Sequence, residues 1–154
     1  MDAETAGLVS SLREQLDRLT ALVRTLLEMS NLQSISRTDQ IALAPLVEEI
    51  LTDLTPLAQK NNISLQQDCA ELGMVGSDAL IYRLVFNLVE NGIKYNRPGG
   101  AVRVTLRQEK QTAVLRVADT GSGIPADCRE SIFQPFFRVD KSRSREMGGV
   151  GLGL

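Results

Sequence analysis

Three features of this 154-residue chain predict an α+β fold. Apolar residues near the N-terminus keep a regular three-four spacing, a helix signature opens at Ser77, and two β runs follow that helix. The first feature requires one long helix, and the other two require a mixed α/β region behind it.

Val9, Leu12, Leu16, Leu19, Val23 and Leu26 carry the three-four rhythm, so residues 4–33 read as one amphipathic helix. Arg13, Glu14, Asp17, Arg18, Arg24 and Glu28 occupy its other face, and no glycine or proline interrupts it after Gly7. A helix with one apolar stripe needs a partner to cover it. The narrow, regular seam favours a bundle between subunits over packing on its own domain. Residues 34–44 are polar and then weakly apolar, as a linker would be. Pro45 suits the first turn of a second helix, with Leu46, Ile50, Leu54, Leu57 and Ala58 as its apolar face. Pro56 is expected to kink or break that helix, and Asn61-Asn62 to end it. Ile63 to Cys69 reads as a strand. Ser77 can cap a helix from Asp78 to about Tyr95, with Leu80, Ile81, Leu84, Val85 and Leu88 facing inward. Arg97-Pro98-Gly99-Gly100 is a turn. Val102, Val104 and Leu106 then alternate with Arg103, Thr105 and Arg107, and Thr112 to Ala118 forms a second β run. Glu109-Lys110-Gln111 joins the two as a hairpin. A glycine turn, a short helix near Arg129–Phe133 and a basic, glycine-rich tail complete the chain.

Composition removes several functional classes. Lys+Arg is 17 against 19 for Asp+Glu, a net charge of -2, which gives no field to draw the chain onto nucleic acid or an anionic membrane. The absence of histidine excludes a His-based triad, a His general base and the usual Cys/His zinc site. Cys69 and Cys128 lie far apart, which fits a reducing cytoplasm and two small buried hydrophobes better than a disulfide framework. No apolar run is long enough to span a bilayer, and the acidic start Met1-Asp2-Ala3-Glu4 is unlike a signal peptide. The expected setting is cytoplasmic, without nucleic acid or membrane contact by this segment.

Three segments carry candidate chemistry. In Asn87-Leu-Val-Glu90-Asn91-Gly92-Ile93-Lys94-Tyr95, Asn87 and Asn91 are four apart and share one helix face. Amide oxygens are hard ligands acceptable to Mg²⁺, and a nearby lysine offsets phosphate charge. Two asparagines in mid-helix run against helix propensity, so a plain solvated face explains them poorly. Asp119-Thr120-Gly121-Ser122-Gly123-Ile124-Pro125 follows a β run directly. Its glycines permit close backbone approach, and an ionised Asp can accept a hydrogen bond from an exocyclic amine such as that of adenine. The third segment runs from Phe133 through Phe136-Phe137-Arg138, Arg143 and Arg145 to Gly149, Gly151 and Gly153. Aromatic residues can anchor a loop, basic groups can reach phosphates, and glycine backbone N–H groups can form an anion nest.

In order and spacing these segments resemble the nucleotide boxes of the Bergerat-fold ATPases, and among them the sensor histidine kinases. The stretch Arg143-Ser-Arg145-Glu-Met-Gly148-Gly149 is similar to the kinase lid, and residues 13–33 are similar to the second helix of the kinase dimerisation domain. The resemblance covers nearly the whole chain. It implies a dimerisation helix over residues 1–36 and an ATP-binding α/β sandwich over 37–154. It also implies ATP and Mg²⁺ as cofactors, with Asn91 binding the metal and Asn87 assisting. Lys94 and Tyr95 would contact phosphate and nucleotide. Asp119 would recognise adenine, with Gly121, Gly123 and Ile124 shaping the pocket. Arg138, Arg143 and Arg145 would belong to the lid, and Gly149, Gly151 and Gly153 would cradle phosphates. Implied partners are a second copy through the N-terminal helix and a response regulator. A full-length relative could be anchored in the inner membrane.

The hydrolytic relatives (gyrase, mismatch-repair and heat-shock ATPases) usually carry Glu where this chain has Asn87. An amide cannot act as a base at neutral pH, so Asn87 favours a kinase over an ATPase. Glu90 reads as a solvated carboxylate on another side of the helix. The histidine that accepts phosphate would lie on an earlier helix, and the sandwich is expected to continue past Leu154, so the segment is read as incomplete at both ends. Val150 and Gly92 depart from a hydroxyl residue and an alanine common in the family. The alternative reading is a non-catalytic dimerisation or interaction module with a weak or vestigial nucleotide site.

Overall fold

Residues 3–30 form a single uninterrupted helix, α1 (Ala3–Ser30), about 42 Å long at 1.5 Å per residue. Asp2 caps it, its carboxylate accepting from the Thr5 backbone N–H at 2.7 Å. Those bonds from Thr5 hold the Asp2 carboxyl below its usual range. None of the α1 residues is buried, and Leu12 and Leu16 are 64% and 62% exposed. A lone helix cannot enclose its own stripe. The computed structural model describes residues 2–133, and the chain divides into two units, Met1–Ile35 and Ser36–Leu154.

The second unit begins where a linker was expected. Asp39–Ala42 is a short strand, β1, and Ile41 is its one buried side chain. Helix α2 (Leu43–Lys60) follows at once, with Pro45 in its first turn. Leu43, Leu46, Val47, Ile50, Leu51, Leu54 and Ala58 form a broad buried face. Pro56 does not break it. Pro56 and Thr52, the residue one turn earlier whose carbonyl loses its partner, are both exposed, so water can serve that oxygen. Asn61 caps the end, and Asn62 takes φ 55, a left-handed conformation asparagine tolerates.

Strand β2 (Ser64–Cys69) and the short β3 (Gly73–Gly76) come next. β3 pairs antiparallel with β1, from Asp39↔Gly76 to Ala42↔Gly73. Helix α3 spans Asp78–Lys94, and the buried Ser77 caps it by accepting from Leu80 N at 3.3 Å. Its buried residues are Val85, Val89, Gly92 and Ile93. Leu84, expected inside, is 54% exposed, and Leu80 and Leu88 are half-buried. The row that packs into the core is instead Val85, Val89 and Ile93, at i, i+4 and i+8.

β4 (Ala101–Glu109) and β5 (Thr112–Asp119) form the expected hairpin, with Lys110 at φ 58 in its turn. The main sheet has the order β2-β4-β5, β4 being parallel to β2 and antiparallel to β5. Parallel neighbours need a crossover, and β3 with α3 supplies it. Val102, Val104 and Leu106 of β4 are fully enclosed and meet the buried faces of α2 and α3. Each such side chain contributes roughly 1.5–3 kcal/mol relative to exposure. The unit is thus two helices on one face of a three-stranded sheet. Beyond β5, the expected short helix is instead two 3₁₀ turns, Ala126–Cys128 and Ser131–Phe133. Among the described residues, no helix is long and apolar enough to cross a membrane.

Candidate functional site

The core stripe of α3 decides where its polar residues go. Val85, Val89 and Ile93 face the sheet, so Asn87, Asn91 and Lys94 fall on the far side of the helix. All three are half-buried. Lys94 is already engaged: its Nζ donates to Glu90 Oε1 at 3.1 Å, one turn back, with both side chains about 30% exposed. Glu90 is therefore the tether of the lysine and not a free solvated carboxylate.

The C-terminal half of α3 lies against the end of β5. Val102 is the register partner of Asp119. A Cβ added to Gly92 would sit 3.1 Å from a Val102 methyl and 3.5 Å from Asp119 Cβ. An alanine there would need the Val102 side chain to give by a few tenths of an ångström, so the asparagine-bearing helix packs closely on the strand that ends in Asp119. One turn further on, Tyr95 caps α3, and its carbonyl abuts the glycine loop. A Cβ on Gly121 would fall 2.5 Å from Tyr95 O and 2.9 Å from Asp119 Oδ1. Gly121 is therefore fixed by close approach, whereas Gly123 is fixed by its backbone, at φ 73.

Asp119 is exposed at the rim of this junction. Its Oδ1 accepts from Gly121 N at 2.8 Å, which closes the loop on itself. Its Oδ2 has no hydrogen-bond partner among the described residues. Ile124, 41% exposed, offers an apolar surface on the same loop. The structure thus brings Gly92 and the Tyr95 carbonyl at the end of α3 against Asp119 and Gly121, with Asn91 next to Gly92 in the chain and Asn87 one helical turn earlier. Arg138, Arg143, Arg145, Gly149, Gly151 and Gly153 lie outside the described residues.

Two residues of this junction were not singled out in the sequence. Asn96 Nδ2 donates to Ala101 O at 3.0 Å, and Thr120 Oγ1 accepts from Ala101 N at 2.9 Å. An amide side chain between a helix end and a Pro-Gly turn is the one local signal that could have marked Asn96.

A cleft of about 1090 Å³ lies elsewhere, bounded by Gln40, Glu48, Asp68, Cys69, Glu71 and Met74 among others. It contains none of the candidate residues, and its three carboxylates would repel a polyphosphate. Cys69 and Cys128 are both free and half-buried, and desolvation pushes both thiols up, so neither is primed as a nucleophile. No cluster of three His, Cys, Asp or Glu side chains that could hold a metal occurs among the described residues. The candidate metal donors on α3 are the neutral amides of Asn87 and Asn91. These suit a hard divalent cation whose other ligands are phosphate oxygens and water.

Comparison with known proteins agrees with this fold. The family model described as histidine kinase-, DNA gyrase B-, and HSP90-like ATPase matches residues 76–154. The chain is 37% identical over 156 residues to the sensor histidine kinase RppB of Synechocystis sp., covering 98% of this chain and 34% of that protein. It is similar in structure to the mycobacterial sensor histidine kinase MprB, at 26% identity and a TM-score of 0.65 over 75% of this chain and 72% of that one. It is also similar to the histidine kinase ThkA solved with the response regulator TrrA, at 25% identity and a TM-score of 0.69 over 90% of this chain and 42% of that one. The chain spans about a third of the length of the curated relatives it matches.

Proposed function

The chain belongs to the ATPase family of histidine kinases, DNA gyrase B and HSP90, among sensor histidine kinases, and from that premise we propose that it supplies the ATP-binding part of such a kinase. The observation that carries the reading is the Asp119 carboxylate, pinned by Gly121 through one oxygen and without a partner for the other among the described residues, beside the helix that bears Asn91. That second oxygen would accept the adenine amine, and Gly121, Gly123 and Ile124 would line the base. Asn91, with Asn87 one turn earlier, would hold Mg²⁺, which when bound offsets the charge on the phosphates. Lys94 would add a positive charge near them, held in place by Glu90. Tyr95 would meet the nucleotide at the end of α3. Arg138, Arg143, Arg145 and the glycines at 149, 151 and 153 would close over the phosphates.

Phosphoryl transfer asks a protein mainly for positioning and charge neutralisation, and these residues supply both. Asn87 cannot take a proton from water, which favours transfer to a side chain over hydrolysis. In the whole protein the γ-phosphoryl would pass to a histidine, which this chain lacks, and then to an aspartate of a response regulator. ThkA, solved with its response regulator, supports such a partner. Residues 1–36 would form the dimerisation helix, and residues 37–154 the catalytic domain. The exposed stripe of α1 favours a homodimer.

Calorimetric titration with a non-hydrolysable ATP analogue and Mg²⁺ tests the site, beside Asp119→Asn. Saturable binding that weakens about tenfold or more in the variant is expected, the loss of a hydrogen bond to a charged group. A folded wild-type chain that binds nothing would leave only the interaction-module reading of α1.

A further inference from the structure

The β4–β5 ladder ends where the site begins. Its last register pair is Val102↔Asp119, so the residues after Asp119 are no longer held by strand pairing. Side chains take over there. Asn96, the second residue past α3, uses both ends of its amide: Nδ2 donates to Ala101 O at 3.0 Å, and Oδ1 accepts from Arg97 N at 2.9 Å. The Thr120 hydroxyl donates to the same Oδ1 at 3.1 Å while accepting from Ala101 N at 2.9 Å. Thr120 N donates to Ala101 O at 3.2 Å. Three segments thereby meet in one closed set of bonds: the end of α3, the start of β4 and the glycine loop. The set is close-packed, since a Cβ on the buried Gly100 would overlap Asn96 Oδ1 and lie 2.6 Å from Thr120 Oγ1.

We propose that Asn96 and Thr120 are positioning residues that lock the Asp119 loop to the end of α3, so that adenine recognition and the metal-side asparagines share one rigid frame. The proposal rests on the nucleotide reading given above. Thr120 stands between Asp119 and Gly121, so fixing its backbone and hydroxyl orients both neighbours. Without that lock the Gly121 N–H bond to Asp119 Oδ1 could still form, but the carboxylate would no longer hold a fixed position relative to α3. The role is indirect: Asn96 and Thr120 act on Asp119 through the bonds that fix the loop to the start of β4.

The test uses the full 154-residue chain with Thr120→Val, which keeps the shape and removes the hydroxyl, and Thr120→Ser, which restores it. Thr120→Val is expected to speed hydrogen exchange of the Gly121 amide about tenfold in the ligand-free protein. It should weaken binding of the Mg²⁺-loaded non-hydrolysable ATP analogue about fivefold to tenfold, with Thr120→Ser within about twofold of wild type. Asp119→Asn should cost less affinity in the valine background than in the wild type, because the two act as a unit. Equal weakening by valine and serine, or an undiminished cost of Asp119→Asn, overturns the proposal. If the wild-type chain binds no analogue, the nucleotide reading fails by itself, and Gly121 exchange still decides the lock: no acceleration in Thr120→Val overturns it. Should the valine variant not fold, Asn96→Asp keeps the acceptor and sets a carboxylate against Ala101 O, and the same acceleration of Gly121 exchange is required of it.

Discussion

Helices α1 and α2 are both amphipathic, yet their apolar residues have opposite fates. The α1 stripe runs 9, 12, 16, 19, 23, 26 and is exposed throughout, while the α2 face runs 43, 46, 47, 50, 51, 54, 58 and is buried throughout. The difference is width. A strict three-four seam is one residue wide and matches another helix, whereas a face that adds neighbouring positions is broad enough for a sheet. Pattern width therefore separates a helix built to be covered by another chain from one built into its own core.

Truncation in the core should break this contrast most severely. Ile50→Ala, at a fully enclosed site on α2, should cost about 2–5 kcal/mol in urea unfolding followed by the β signal. A loss under about 1 kcal/mol would mean the broad face is not the core. On α1, Leu16→Glu should leave that unfolding midpoint in place while weakening self-association. A buried leucine is worth roughly 1.5–3 kcal/mol, so the dimer dissociation constant should rise tenfold or more by sedimentation. A wild-type chain that stays monomeric at high concentration would remove the dimer reading of the narrow seam. Gly121→Ala places a methyl 2.5 Å from the Tyr95 carbonyl, so backbone must move. Nucleotide affinity should fall about tenfold with a smaller change in stability, and unchanged affinity would separate the loop from the site.

The smallest effect is expected at the surface bond between the helices of the second unit. Tyr82, stacked on Phe86 with ring centroids 5.8 Å apart, donates its phenol to Asp53 of α2. That bond to Asp53, with desolvation behind it, pushes the phenol up from 10.0 to about 12. The folded state then holds a proton that the unfolded chain releases near pH 10, so stability falls as pH rises from there through about 12. Tyr82→Phe should lower the melting temperature by fewer than about 4 °C at neutral pH and lose less stability across that alkaline range. An identical alkaline slope in both proteins would show that Tyr82 is not the titrating group.

Much of the site could be read before the fold, because the nucleotide motifs are local. Asn87 and Asn91 sit at helical spacing, and Asp119 with Gly121 sits at the end of a strand. The contacts that bind these motifs to one another could not be read. Glu90 holding Lys94 was visible as i, i+4 spacing, yet only the folded helix shows the pair engaged. Asn96 meets Thr120 across 24 residues, and no periodicity predicts such a partner. The β1–β3 ribbon escaped notice because a four-residue strand with one buried side chain has almost no alternation to detect.

By itself the sequence located the three long helices and the strands β2, β4 and β5, because backbone periods of 3.6 and 2 residues are written in neighbouring positions. Only the tertiary structure decided which face of α3 is buried. Both Leu84 and Val85 are apolar, and the choice of Val85, Val89 and Ile93 follows from close approach at Gly92 to Val102 and Asp119. That choice turns Asn87 and Asn91 away from the sheet and sets Asp119 beside Gly92. It depends on packing between residues far apart in the chain, which no local pattern encodes.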